Sequence, residues 1–140
     1  MSSPHAVQFQ LHCRNVDWQE LEALFRRAAL EGREGDKLRR AFEQSTVCCM
    51  GMDGPRLVAA ARALSDGEYH ATIYDVVVDP DYQRQAVGSR LLRELLLRLP
   101  VWRILLVADA DVQPFYRSLG FLPYANVMAL IDRERLFERP

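Results

Sequence analysis

The sequence predicts a single α/β domain, α+β in its mixed sheet, with helices on both faces. Three observations carry this. Alternating or β-branched apolar runs mark strands, apolar residues at 3-and-4 spacing mark helices, and Gly, Pro and Asp clusters separate them. The order that results is β-α-α-β-β-β-α-β-α-β, with hairpins first and crossover units second. A chain of 140 residues, 49% of them hydrophobic, fits one domain over residues 1–140 with a real core.

Residues 6–12 alternate apolar and polar, as a strand does. Trp18, Leu21, Leu24, Phe25, Ala28 and Ala29 then recur at helical spacing, and Asn15 or Asp17 is placed to cap that helix. The segment 32–35, with a glycine at each end, breaks it. A second helix over about 36–44 carries Leu38, Ala41 and Phe42 on one side. Residues 46–50 and 56–64 read as strands joined by Met52-Asp53-Gly54-Pro55, a hairpin turn signal. Ser65-Asp66-Gly67-Glu68 makes another turn. The longest β-rich run, 69–78, follows and ends before Pro80.

Residues 87–99 form a helix with Leu91, Leu92, Leu95, Leu96 and Leu99 apolar, stopped by Pro100. Residues 102–108 are mostly apolar, as a buried strand is. Residues 112–119 read as a short helix closed by Gly120, a residue favoured just past a helix end. Residues 124–130 read as the last strand.

Composition narrows the function. Eighteen basic and nineteen acidic residues leave a net charge of −1. That balance gives no electrostatic pull toward nucleic acid or an anionic membrane. No apolar run approaches the ~20 residues that span a bilayer. The first residues lack the basic-then-apolar layout of a signal peptide. The three cysteines, Cys13, Cys48 and Cys49, form no disulfide framework and read as reduced thiols in a cytoplasmic protein. Cys48 and Cys49 are adjacent, so in a strand they face opposite ways and do not share a metal.

The segment from Asp75 to Leu92 runs from strand through turn into helix. The first N–H groups of a helix lack internal partners and carry the positive end of its dipole, which suits an anion. Gly88 lets a diphosphate approach the backbone closely. A plain tight turn is the alternative.

Two motifs at matching spacing decide between these. Val78, Pro80 and Tyr82 lead into Gln83, Ala86 and Gly88, and Phe115-Tyr116-Arg117-Ser118-Leu119-Gly120-Phe121 follows. Together they resemble the GCN5-related N-acetyltransferase (GNAT) superfamily. The resemblance implies the GNAT fold, with a splayed central strand pair, across essentially the whole chain. It implies acetyl-CoA as co-substrate, no metal, and a pyrophosphate held by residues 83–89, mainly by the backbone of Arg84, Gln85, Ala86, Val87, Gly88 and Ser89. Ala86 stands where the family usually has its first glycine. If that residue begins the helix, its Cβ costs little.

The resemblance also places the pantetheine against the backbone of Val76, Val77 and Val78, with Asp109 at the mouth of the neighbouring strand. It makes Tyr116 the acid that protonates the departing thiolate, and puts Asp75 near where related enzymes hold a basic carboxylate. Strand alternation sets Asp75 with Ile73 and Val77, opposite Tyr74, Val76 and Val78. A salt bridge to a neighbouring strand is the alternative role for Asp75, and helix packing the alternative for Tyr116. Glu68, Tyr69, His70 and Tyr74 are further candidates for the acceptor side, and Phe25, Leu30, Phe42 and Tyr69 for its pocket.

The acceptor implied is a primary amine of a small molecule. The run from Asp75 to Gln83, with Ala108-Asp109 ahead of Phe115-Tyr116, is similar to serotonin N-acetyltransferase-like members of the family. A protein lysine or N-terminal acetyltransferase, and a coenzyme-A-binding regulatory domain without catalysis, remain open. Homodimers are common in that family, and residues 131–140 offer a segment for one.

Overall fold

The computed structural model of this chain describes residues 6–131. They divide at Val107 and Ala108 into two compact units. The first holds β1 (Val7–Gln10), α1 (Trp18–Arg27), α2 (Gly35–Glu43), β2 (Val47–Asp53), β3 (Arg56–Ser65), β4 (His70–Val78), a 3-10 turn (Pro80–Tyr82), α3 (Val87–Leu96) and β5 (Arg103–Leu106). The second holds α4 (Gln113–Ser118).

The five strands form one sheet in the order β1-β2-β3-β4-β5. The first four meander antiparallel, and β5 joins β4 in parallel after the α3 crossover. The hairpins-then-crossover expectation therefore holds. In the β2–β3 hairpin Asp53 pairs with Arg56, so the loop is Gly54-Pro55, and Gly54 supplies a φ of 59°.

Local chemistry explains the ends of the helices. Asp17 Oδ1 accepts from the Gln19 and Glu20 N–H groups at 3.0 and 3.2 Å and so caps α1. That helix stops before the glycines. Ala29 turns left-handed at φ 60°, its N–H bonds Arg26 O, and the Leu30 N–H bonds Phe25 O.

One core lies on the α1/α2 side. Leu21, Leu24, Phe25, Leu38 and Phe42 pack with Cys48, Met50, Leu57, Ala60 and Val77 of the sheet. Phe25 and Phe42 meet edge to face at 6.1 Å. On the other side α3 buries Val87, Leu91, Leu92 and Leu95. Each such leucine contributes about 1.5–3 kcal/mol of apolar burial. The adjacent cysteines report this two-sidedness. Cys48 meets Cys13, while Cys49 feels Glu94 of α3. Burial pushes the Cys49 thiol up to about 12.

The expected strand at 124–130 is not formed. Among the described residues they join no ladder, and Val127, Met128 and Leu130 are exposed. A run of apolar residues becomes a strand only where a neighbour takes up its N–H and C=O groups. The segment suggested for dimer contacts lies, beyond Ile131, outside the described residues, as do residues 1–5.

Candidate active site

The turn expected to bind pyrophosphate is held from both ends. At its start, Asp79 leaves β4 and is buried, only 1% exposed. Its N–H donates to Val58 O at 2.8 Å. Its Oδ1 accepts from the Asp81 N–H at 2.9 Å and caps the 3-10 turn. Its Oδ2 takes Arg27 Nε and Arg56 Nη2, both at 3.0 Å. Burial opposes its charge, but the Asp81 N–H and the two guanidinium groups outweigh burial and hold its carboxyl below the usual range. Tyr82 is buried, and its hydroxyl donates to the Asp53 carboxylate. The Arg56 guanidinium lies 5.4 Å from the Tyr82 ring centroid.

The chain between these anchors and α3 is strained. Arg84 and Ala86 are left-handed, at φ 61° and 63°. Ala86 is the N-cap of α3, not its first helical residue. The expectation of a helical backbone there is thus corrected. A Cβ at that φ costs roughly 1–2 kcal/mol. Left-handed residues within such a turn aim N–H groups toward one concave side. Gln83 Nε2 donates to Val78 O at 3.1 Å, and Gln85 Nε2 to Asp81 O at 3.0 Å. These two glutamines therefore brace the turn with their side chains. The first α3 bond runs from Arg90 N–H to Ala86 O at 3.1 Å, so the N–H groups of Val87, Gly88 and Ser89 lie ahead of the ladder. Ser89 Oγ also turns back to Ala86 O at 3.1 Å.

A bulge interrupts the register of β3 and β4. Arg62 pairs with Tyr74 and Ala60 with Val77, so Asp75 and Val76 both stand against one residue of β3. Asp75 takes the strain, at φ 59°. Pairing of β4 with β5 ends at Ile73 and Leu106, although β4 runs on to Val78. On that edge the backbone of Val76, Val77 and Val78 has no partner strand among the described residues.

The bulge also corrects the alternation. Arg62 stacks over Tyr74 at 5.0 Å and binds Asp75 Oδ2 through Nε at 2.7 Å. Tyr74 and Asp75 therefore share the α1/α2 face with Val77, and Ile73 faces the other way. Arg33, from the α1–α2 connection, takes Asp75 Oδ1 at 2.8 Å. Both oxygens of this buried carboxylate are thus occupied.

In the second unit, Asp109 is exposed, and its carbonyl accepts from the Val112 N–H at 3.1 Å. Tyr116 is half-buried on α4, edge-on to Phe115 at 5.0 Å and to Phe121 at 5.9 Å. Burial raises its hydroxyl pKa, so it stays protonated at neutral pH. Gly120, at φ 97°, closes α4. Its N–H bonds Arg117 O, and the Phe121 N–H bonds Tyr116 O. The Phe-Tyr-x-x-Leu-Gly-Phe motif is therefore one helix, its cap and the ring cluster behind it.

The suggested pocket residues separate. Phe25 and Phe42 are core, Leu30 packs against it, and Tyr69 is exposed. His70 sits 5.8 Å from the exposed Trp102 and receives Arg103 Nε at 3.3 Å. Glu68 lies in the loop where its N–H donates to Asp66. Sequence reasoning missed Asp79, Arg33 and Arg62. Asp79 carried one usable signal, an Asp directly before Pro at a strand end, which favours a capped turn.

A model of the acetyltransferase (GNAT) family matches residues 14–121. The chain belongs to that family. Its GNAT relatives include a protein named histone acetyltransferase TAP1 from Glycine max, 37% identical over 121 residues, 76% of this chain and 52% of that one. Serotonin N-acetyltransferase 2, chloroplastic, from Oryza sativa is 36% identical over 113 residues, 76% of this chain and 56% of that one. The chain thus spans about half the length of both. Among solved structures, a GNAT-family acetyltransferase from Streptococcus pneumoniae TIGR4 superposes with a TM-score of 0.78 at 27% identity, covering 91% of this chain and 98% of that one.

Proposed function

We propose that this domain moves the acetyl group of acetyl-CoA to a primary amine of a small molecule, by direct attack within a ternary complex. The observation that carries this is the turn into α3. Two left-handed residues, three N–H groups ahead of the helical ladder and the small Gly88 make a donor set suited to a diphosphate. The edge of Val76, Val77 and Val78, which has no partner strand among the described residues, suits an extended, amide-bearing arm such as pantetheine. Both contacts use backbone and need no metal.

Attack needs a neutral amine, and a lysine-like amine has a pKa near ~10.4. Asp75 is the proposed base. Its role requires Arg33, the more exposed of its two partners, to release Oδ1. Tyr116 is the proposed acid, since a phenol with a raised pKa holds its proton for the departing thiolate. The rice relative's name favours a small aromatic amine as acceptor. The soybean relative's name favours a histone lysine, which is the second reading.

A thiol-release screen with acetyl-CoA over arylalkylamines, polyamines and lysine peptides tests both. Turnover of a small amine supports the first reading, turnover confined to peptides selects the second, and no thiol release above background with any acceptor would discard both. With an accepted amine, Tyr116→Phe is expected to lower kcat about 10²-fold or more with little change in coenzyme affinity. An unchanged kcat would remove Tyr116 as the acid. An Asp75→Asn pH–rate profile that superposes on the wild type would remove Asp75 as the base.

A further inference from the structure

We infer that Asp79 is a positioning residue for coenzyme binding, fixing the strained turn whose N–H groups face the diphosphate. The inference rests on the reading of that turn as the diphosphate site. Two non-glycine residues in left-handed backbone, Arg84 and Ala86, persist only where the surroundings over-determine them. One end is fixed by α3, whose Val87, Leu91, Leu92 and Leu95 are fully buried. The other end must be fixed as firmly, or the turn relaxes and its N–H groups scatter.

Asp79 is the hub of that other end. Its two oxygens and its own N–H gather four partners from three pieces of the fold, α1, β3 and the turn. These are Arg27 at the end of α1, Arg56 at the start of β3, the Val58 carbonyl inside β3, and the Asp81 N–H within the turn itself. Arg56 then reaches on to Asp81 at 3.5 Å and covers the Tyr82 ring. The Asp81 and Val78 carbonyls, on either side of Asp79, are the acceptors for Gln85 and Gln83. Apart from the bond of the Tyr82 hydroxyl to the Asp53 carboxylate, these braces on the strand side lead back to Asp79 or its neighbours. Its position ahead of the turn makes this an indirect role, exerted through residues 80–86.

Asp79→Asn tests it with little change of shape. The amide keeps an acceptor for the Asp81 N–H but loses the charge that gathers Arg27 and Arg56. Those two arginines are 37% and 46% exposed and can return to water, so the fold need not collapse. Arg56→Gln, a half-exposed change, is the second variant. The probes are coenzyme A and pantetheine, which lacks the diphosphate, each titrated by NMR on the whole chain. Wild type should bind coenzyme A far more tightly than pantetheine. Asp79→Asn should weaken coenzyme A about tenfold, or 1.4 kcal/mol, and leave pantetheine within about twofold. Arg56→Gln should shift coenzyme A the same way by about threefold.

An equal loss for both probes in the two variants would mean a general disturbance of the domain and would overturn the positioning role. So would an unchanged coenzyme A constant. A wild type that binds the two probes equally would instead remove the diphosphate reading of the turn, and the inference with it.

Discussion

Ala86 shows how much one backbone angle decides. At φ 63° its Cβ costs roughly 1–2 kcal/mol, whereas glycine would cost roughly 0.4–1 kcal/mol through the greater freedom of the unfolded chain. The strain outweighs that entropy. Ala86→Gly is therefore expected to stabilise the protein by about 0.5–1 kcal/mol, seen as a higher urea midpoint at unchanged m-value. A lower midpoint would mean that the turn is not left-handed at this residue. The sequence drew attention to Ala86 through the missing glycine. It did not disclose the conformation, because alanine is at home in a helix start as well as in a strained cap. Asp75 was half legible for the same kind of reason. A buried charge in an apolar strand was evident, but the bulge that turns it toward Arg33 and Arg62 depends on β3–β4 register.

Elements were legible where their signals are local. The Asp17 cap, the Gly54-Pro55 hairpin and the Gly120 helix end all depend on residues a few positions apart. Pairing is not local, and there the reading failed. Residues 124–130 carry apolar side chains but pair with no strand among the described residues, and β2 runs past Met50 through Gly51 to Asp53. A glycine weakens a strand pattern unless a close approach demands it. Gly51 meets such a demand. A Cβ built there would stand 3.0 Å from Ala59 Cβ and 3.2 Å from Phe9 Cε1. Ala59 is fully buried and has no side-chain torsion by which to move away. Gly51→Ala should therefore destabilise the protein by about 1–3 kcal/mol, read from the same urea titration. A change below about 0.5 kcal/mol would show that β1 and β3 give way freely.

For the whole molecule, the sequence supplied a near-neutral charge total but not which carboxylates the fold holds in their charged form. Among the described residues, the surroundings of two carboxylates, Asp66 and Asp79, hold them below their ordinary range. Asp66 lies at about 2 because the His70, Glu68 and Tyr69 N–H groups all bond its carboxylate. Asp79 is lowered by the Asp81 N–H and the Arg27 and Arg56 guanidinium groups despite the opposing effect of burial. A carboxyl depressed in the folded state binds protons more readily in the unfolded chain. Its stabilisation is complete above the unfolded pKa, near ~3.9, and is lost as pH falls through the folded value. Asp66 is fully exposed, so its share is screened by solvent, and the larger acid dependence belongs to the buried Asp79. Stability measured by urea unfolding is thus expected to hold from pH 7 to about 5 and to fall steeply toward pH 2. Asp79→Asn should start lower at neutral pH and fall less steeply, so that the two curves converge in acid. Curves that stay parallel down to pH 2 would mean that the Asp79 carboxylate is not depressed by its arginines, and the acid limb would then belong to other groups.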